Sequence, residues 1–330
     1  MTTNRPLLQI PTHVIAGPLG AGKTTFMRAL LEQRPQGERW AILVNEFGQV
    51  GIDQALLGTA DDSNVSISEI PGGCLCCVNG VPFQVGLGRL LRRARPDRLF
   101  IETSGLGHPA PLLEQLGEAP WKTVLQLQPL IMVVDAAALA TGQMLPHTQS
   151  EALHLAGALI MNKSEALDDH DRQRLAQALP KVPLLWCTQG WLPFTALPQK
   201  KEPAAAQHVP DNELPDGPSP LPLLWTPNQQ WQRREQRSEA GCSIGWLVHP
   251  SIRFDSAAVI AWLTDIRWLR AKAVMHTEAG WLSINALAPS EASWSVAAPR
   301  AGDSRLELIF TGEVNIPVLE RSLQRTVLRS

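Results

Sequence analysis

The chain has 330 residues, enough for two domains of ordinary size, and its 44% hydrophobic and 18% charged content is that of a soluble globular protein. A net charge of −2 leaves no electrostatic footprint for nucleic acid or an anionic membrane. No apolar run is long enough to span a bilayer, and Met1-Thr-Thr-Asn-Arg-Pro6 lacks the apolar core of a secretory signal, so a cytoplasmic protein with neither nucleic-acid nor membrane partners is expected.

Along the chain, short apolar runs at 13–16, 40–45, 98–103, 130–135, 158–162 and 183–187 read as strands. Helical patterns fall between them at 23–33, 81–93, 110–116, 149–156 and 168–179. Continuous apolar strands alternating with helices predict an α/β fold with a mainly parallel sheet covered on both faces. Ligands then bind beyond the carboxyl ends of the strands. Residues 198–238 are crowded with proline, which removes donors and blocks helix and ladder alike, and they read as a linker. A smaller α+β unit follows at 239–330. Its expected strands are 243–249, 271–276, 281–285 and 305–310, and its expected helices are 256–270, capped by Asp255 or Ser256, and 316–328. The first domain is thus expected to occupy residues 1–197.

Gly17-Pro-Leu-Gly-Ala-Gly-Lys-Thr24 fits the phosphate-loop pattern and lies between a strand and a helix start, the context that pattern requires. Gly17, Gly20 and Gly22 let the backbone turn its N–H groups onto phosphate oxygens, and the helix start adds partial positive charge. Lys23 reaches the β- and γ-phosphates and the Thr24 hydroxyl ligates Mg²⁺. Gly17, Gly20, Ala21, Gly22, Lys23, Thr24 and Thr25 are therefore assigned to the nucleotide.

Other strand ends carry chemistry too. Glu102 closes the run Leu99-Phe-Ile and is placed to hold Mg²⁺ through water, with the Gly105 N–H near a γ-phosphate. Asp135 ends another buried strand, as a further candidate carboxylate or a helix cap. Asn162-Lys163-Ser-Glu165 resembles the guanine-reading pattern N-K-x-D, in which a carboxylate accepts from two base N–H groups. Glu165 stands where Asp is usual and moves the carboxylate by roughly a bond length. A polar turn after a strand is the plainer reading of the same residues.

The chain has five cysteines, and three of them form Cys74-Leu-Cys76-Cys77 after the turn Glu69-Ile-Pro-Gly-Gly73. Clustered thiolates are soft ligands that suit zinc or Cu(I). Glu46, His108, water or a partner's side chain would complete the tetrahedron. A redox thiol pair and buried structural cysteines are the alternatives. Cys187 and Cys242 read as core residues, and Trp246, Trp262, Trp268 and Trp281 as core or interface.

Together, Gly17–Thr25, Val44-Asn-Glu-Phe-Gly48, Gly51-Ile-Asp53, Gly72-Gly-Cys-Leu-Cys-Cys77 and Ile101-Glu-Thr-Ser-Gly105 resemble, in order, the motifs of CobW-type P-loop GTPases, relatives of UreG and HypB. Cys77-Val-Asn-Gly80 and Gly105-Leu-Gly-His-Pro109 look most like the YeiR branch of zinc-binding members. The match is strong over residues 12 to about 190, and the C-terminal unit looks like a CobW C-terminal domain. The resemblance implies a zinc metallochaperone driven by GTP binding and hydrolysis. Lys23 and Thr24 would hold phosphate and Mg²⁺, Asn162 and Lys163 would serve guanine, and Cys74, Cys76, Cys77 and Glu46 would ligate zinc. Gln49 stands where many relatives have a second Glu, and His208 is the one histidine of the linker, so storage of many metal ions is not expected.

The mechanism expected from these residues has Mg²⁺-GTP on the phosphate loop, a switch from Asn45 to Asp53, and a cysteine loop whose zinc affinity changes on hydrolysis. No arginine finger is assignable, so hydrolysis without metal or partner is expected to be slow. The expected partners are GTP and GDP, zinc, a client metalloprotein, and a second copy through the C-terminal unit. A zinc-buffering protein with a vestigial nucleotide site, an ATP-dependent small-molecule kinase and a thiol redox enzyme are the competing readings.

Overall fold

The computed structural model describes residues 7–45, 64–69, 81–105, 108–200, 214–215, 230–238, 241–297, 302–312 and 314–328. Those up to Pro215 form one compact unit and those from Gln230 onward a second. Glu46, the 45–53 switch beyond Asn45, Cys74, Cys76, Cys77 and His208 lie outside the described residues.

The first unit opens with β1 (Ile10–Ala16), whose Val14, Ile15 and Ala16 are fully buried. Burial on both faces is why this strand reads as a continuous apolar run. Helix α1 (Lys23–Leu31) follows and buries Phe26, Met27 and Leu30, the spacing of one helical face. Next come β2 (Trp40–Asn45), β3 (Val65–Glu69) and α2 (Val81–Ala94). Phe83, Leu87, Leu90 and Leu91 form the buried stripe of α2. Strand β4 (Arg98–Thr103), α3 (Pro109–Leu116), α4 (Trp121–Val124) and β5 (Leu125–Leu127) complete the first half. The second half holds β6 (Leu130–Asp135), α5 (Ala136–Ala140), α6 (His147–Ala152), β7 (Ala156–Asn162), α7 (Asp169–Ala178) and β8 (Leu184–Trp186).

The strands lie in the order β3-β2-β4-β1-β6-β7-β8, with β5 also on β1, and every pairing is parallel. The chain builds one side of β1 first and then crosses to the other. The crevice beyond β1, between β4 and β6, is therefore the topological switch point where such sheets bind ligands.

In the second unit the order is β13-β12-β11-β14-β10-β9, all antiparallel, for β9 (Trp231–Ser238), β10 (Gly241–Val248), β11 (Arg270–Thr277), β12 (Gly280–Ala286), β13 (Ser295–Val296) and β14 (Ser304–Phe310). Helices α8 (Ser256–Asp265) and α9 (Ile316–Gln324) bury Val259, Trp262 and Leu263, and Ile316, Leu319 and Leu323. The core they share with the sheet includes Trp246, Ile244, Ala273 and Leu308. Trp246, Trp262 and Trp268 are buried here, and Trp281 stacks on His276.

Four expectations need correction. The helix expected over 316–328 ends at Gln324, and Val327 instead bridges to Phe254. Residues 231–238, placed in the proline-rich linker, form β9 and pair with β10 along its whole length. The sequence Trp-Gln-Arg-Arg-Glu-Gln-Arg-Ser has no apolar alternation to reveal a strand. The helix expected over 256–270 ends at Asp265, where the Trp268 indole N–H donates to the Leu263 carbonyl at 2.9 Å and satisfies an orphan acceptor of the last turn. The helix expected to reach residue 156 stops at Ala152, tightens into a 3₁₀ turn and gives Ala156 to β7. Strands β3, β5 and β13 lie outside the expected elements. Among the described residues, no helix is long and apolar enough to cross a membrane.

Candidate nucleotide site

The described candidate residues gather where the sheet topology directs them. Parallel pairing sets Ile15 of β1 beside Glu102 of β4, Val44 of β2 beside the same Glu102, and Asp135 of β6 beside Asn162 of β7. The polar residues at these strand ends thus line one edge of the sheet.

The phosphate loop leaves β1 at Gly17 and enters α1 through Gly22, the N-cap residue, at φ +95°. A side chain at Gly22 would be strained in that backbone region, and its Cβ would fall 2.2 Å from Asn162 Nδ2. The Phe26 N–H donates to the Gly22 carbonyl at 2.8 Å and starts the helix. Lys23 is buried, and its amine donates to the carbonyl oxygens of Gly17 at 3.0 Å and Pro18 at 3.1 Å. The loop is wrapped around this one positive charge, next to the amino end of a helix whose partial charge has the same sign. The local field is that of an anion site.

The Thr24 hydroxyl donates to Glu102 Oε1 at 3.0 Å. Glu102 is only 1% exposed, and it meets the half-buried Thr24 hydroxyl at the edge of the interior. Two hard oxygen donors at the head of a phosphate loop are a donor set that suits Mg²⁺. Gly105 lies on the far wall. A Cβ there would come within 2.7 Å of the Leu19 backbone nitrogen and 3.1 Å of Lys23 Nζ, so the close approach of the two loops depends on glycine. Thr25 is exposed beside the loop, and Gly20 and Ala21 form its inner bend.

On the other side, Asn162 is buried. Its Nδ2 donates to the Ala21 carbonyl at 2.9 Å, and its Oδ1 accepts from the Gly190 N–H at 2.9 Å and from the Cys187 thiol at 3.6 Å. Lys163 has φ +57° and places Nζ 2.6 Å from Asp135 Oδ2. Asp135 Oδ1 accepts from the Ala138 N–H at 2.9 Å and caps α5. Ser164 Oγ donates to the Cys187 carbonyl at 3.0 Å, and Glu165 is exposed. Burial, then the Glu165 charge, pushes the Cys187 thiol up to about 11, so it stays protonated near neutrality.

Sequence reasoning missed Cys187 and Gly190 as parts of this site. Both follow β8, and the rule that strand ends bear ligands would have pointed to them. The zinc candidates Cys74, Cys76, Cys77 and Glu46 lie outside the described residues. His108 is described and sits at the N-cap position of α3. Among the described residues, Asp168, His170 and Asp171 cluster at the start of α7, on the surface. Asp168 caps that helix and Asp171 pairs with Arg174, which accounts for both carboxylates.

The family model described as CobW/HypB/UreG, nucleotide-binding domain, matches residues 11–183. The zinc chaperone YeiR of Escherichia coli is 33% identical over 324 residues, covering 94% of this chain and 96% of its own. The zinc chaperone CobW of a Sinorhizobium species is 38% identical over 152 residues, 44% of this chain and 43% of its own. Zinc-regulated GTPase metalloprotein activator 1 of Schizosaccharomyces pombe is 32% identical over 136 residues, 38% of this chain and 32% of its own.

Proposed function

Because this chain belongs to the CobW/HypB/UreG family, we propose that it is a GTP-hydrolysing zinc chaperone in which nucleotide state sets zinc affinity. One observation carries the nucleotide half: a phosphate loop, a half-buried hydroxyl–carboxylate pair and an asparagine–lysine turn meet along one sheet edge.

Each residue has a role in this reading. The Lys23 amine exchanges loop carbonyls for the β- and γ-phosphate oxygens. Thr24 directly and Glu102 through water would hold Mg²⁺, which when bound neutralises charge on the phosphates. Gly105, close against Leu19, offers its N–H to the terminal phosphate. Asn162 orders the base-side turn, Lys163 lies along the base and Glu165 accepts from guanine N–H groups.

Zinc is the cargo. Its ligands are assigned to Cys74, Cys76, Cys77 and Glu46, a set that suits zinc by softness and spacing. The names of the relatives, zinc chaperones and a zinc-regulated GTPase metalloprotein activator, support zinc as the cargo. The chain between Asn45 and Asp53 couples the two sites, and zinc passes to a client metalloprotein in a reducing cytoplasm that keeps the thiols free. The unit from about residue 231 onward serves docking or self-association. Hydrolysis is slow until a metal or partner completes the site.

Calorimetric titration of the full chain with GTP and ATP tests the nucleotide half. GTP is expected to bind at least about tenfold more tightly than ATP, and Lys23→Ala to abolish both heats. Equal affinity for the two nucleotides overturns the guanine assignment, and absence of binding overturns the reading.

A further inference from the structure

The half-buried ion pair between Asp135 and Lys163 contributes little to stability as a pair. Its geometry has a more specific consequence. Lys163 adopts φ +57°, a left-handed conformation unfavourable for a non-glycine residue. The turn is held there from both sides. Asn162 is bonded to Ala21 and Gly190, and Ser164 is bonded to the Cys187 carbonyl. The backbone therefore fixes where the Lys163 side chain starts, and Asp135 Oδ2, 2.6 Å from Nζ, fixes where it ends. A long, rotamer-rich side chain is ordered before any ligand arrives.

Asp135 is itself held. Its other oxygen takes the Ala138 N–H, and the register of β6 on β7 sets it beside Asn162. One carboxylate thus joins the start of α5 to the tip of the base-side lysine.

We propose that Asp135 is a positioning residue for the purine: by anchoring Nζ it holds the Lys163 stem as a preformed wall of the base pocket. The assignment rests on the guanine-nucleotide reading above. A ligand that meets an already ordered wall does not bear the entropy of ordering it. Because Asp135 acts only through the base wall, GTP and GDP feel it equally and the phosphate loop does not.

The test titrates the full chain with GTP, GDP and inorganic triphosphate. Asp135→Asn keeps an oxygen for the Ala138 N–H and removes the charge that anchors Lys163. It is expected to weaken GTP and GDP each by about three- to tenfold and to leave triphosphate affinity unchanged. Lys163→Met keeps most of the stem, leaves the Asp135 cap intact and is expected to lose a similar factor. The double variant is then no weaker than the worse single one. Lys163→Met carries the test if Asp135→Asn does not fold. Wild-type GTP affinity in either single variant overturns the proposal. So does a loss of triphosphate in step with GTP, or full additivity of the two substitutions. A wild-type protein that binds triphosphate but no guanine nucleotide instead overturns the guanine reading, and this assignment with it.

Discussion

Asn162 Nδ2 donates to the carbonyl oxygen of Ala21 at 2.9 Å, tying the turn after β7 to a phosphate loop 141 positions earlier in the chain. The same side chain accepts from Gly190 with its oxygen. One buried amide therefore joins the three loops that follow β1, β7 and β8. Both of its polar ends are used.

Asn162→Ala leaves the Ala21 carbonyl and the Gly190 N–H without this partner. The expected cost is about 1–3 kcal/mol of stability, together with weaker binding of every guanine nucleotide. Chemical denaturation and GTP titration check both. Asn162→Asp, which keeps an oxygen for Gly190 but loses the donor to Ala21, is expected to do no better for GTP.

Glu102→Gln retains the size of the side chain and removes the charge that faces the Thr24 hydroxyl. GTP hydrolysis at saturating Mg²⁺ is expected to fall roughly 10- to 100-fold, as it does when the partner of a metal ligand is lost elsewhere. Thermal stability should change little, since Gln still accepts from Thr24. Turnover measured across a Mg²⁺ series would separate weaker ion binding from slower chemistry.

The phosphate loop was fully legible because glycine, lysine and threonine at fixed spacing have few other uses between a strand and a helix. The strands that frame it were legible because burial on both faces makes them continuously apolar. Strand β9 was not, since Trp-Gln-Arg-Arg-Glu-Gln-Arg-Ser has no apolar alternation, and pairing to β10 is a tertiary fact. The second job of Asp135 was also hidden. Its partner Lys163 lies 28 positions away, and only the β6–β7 register brings the two together. Cys187 looked like an ordinary core residue. It is buried, but its thiol also donates to Asn162 Oδ1 at 3.6 Å.

His13 gives the fold a pH dependence unrelated to catalysis. It is buried in β1, stacked on Phe100 at 5.3 Å, with Nε2 facing Arg98 Nη1 at 3.0 Å. Burial first, and the Arg98 charge second, lower its pKa from 6.5 to about 3. The unfolded chain therefore binds this proton before the folded one does. Stability from the neutral imidazole is complete above pH 6.5 and is lost as pH falls from there toward 3, by up to about 1.4 kcal/mol per pH unit. Denaturation curves of wild type and His13→Gln between pH 7 and 4.5 should converge as the pH falls. Parallel curves would show that His13 is not the group responsible.

The nucleotide and zinc sites are expected to influence one another. The measurement that tests this most directly is zinc affinity, by chelator competition, in the presence of GTP and of GDP, alongside GTP affinity with and without zinc. The account predicts that zinc affinity differs between the two nucleotide states by about fivefold or more, that zinc changes GTP affinity by the same factor as GTP changes that of zinc, and that Cys76→Ser removes the effect. Equal zinc affinity in the GTP-bound, GDP-bound and nucleotide-free protein would contradict it.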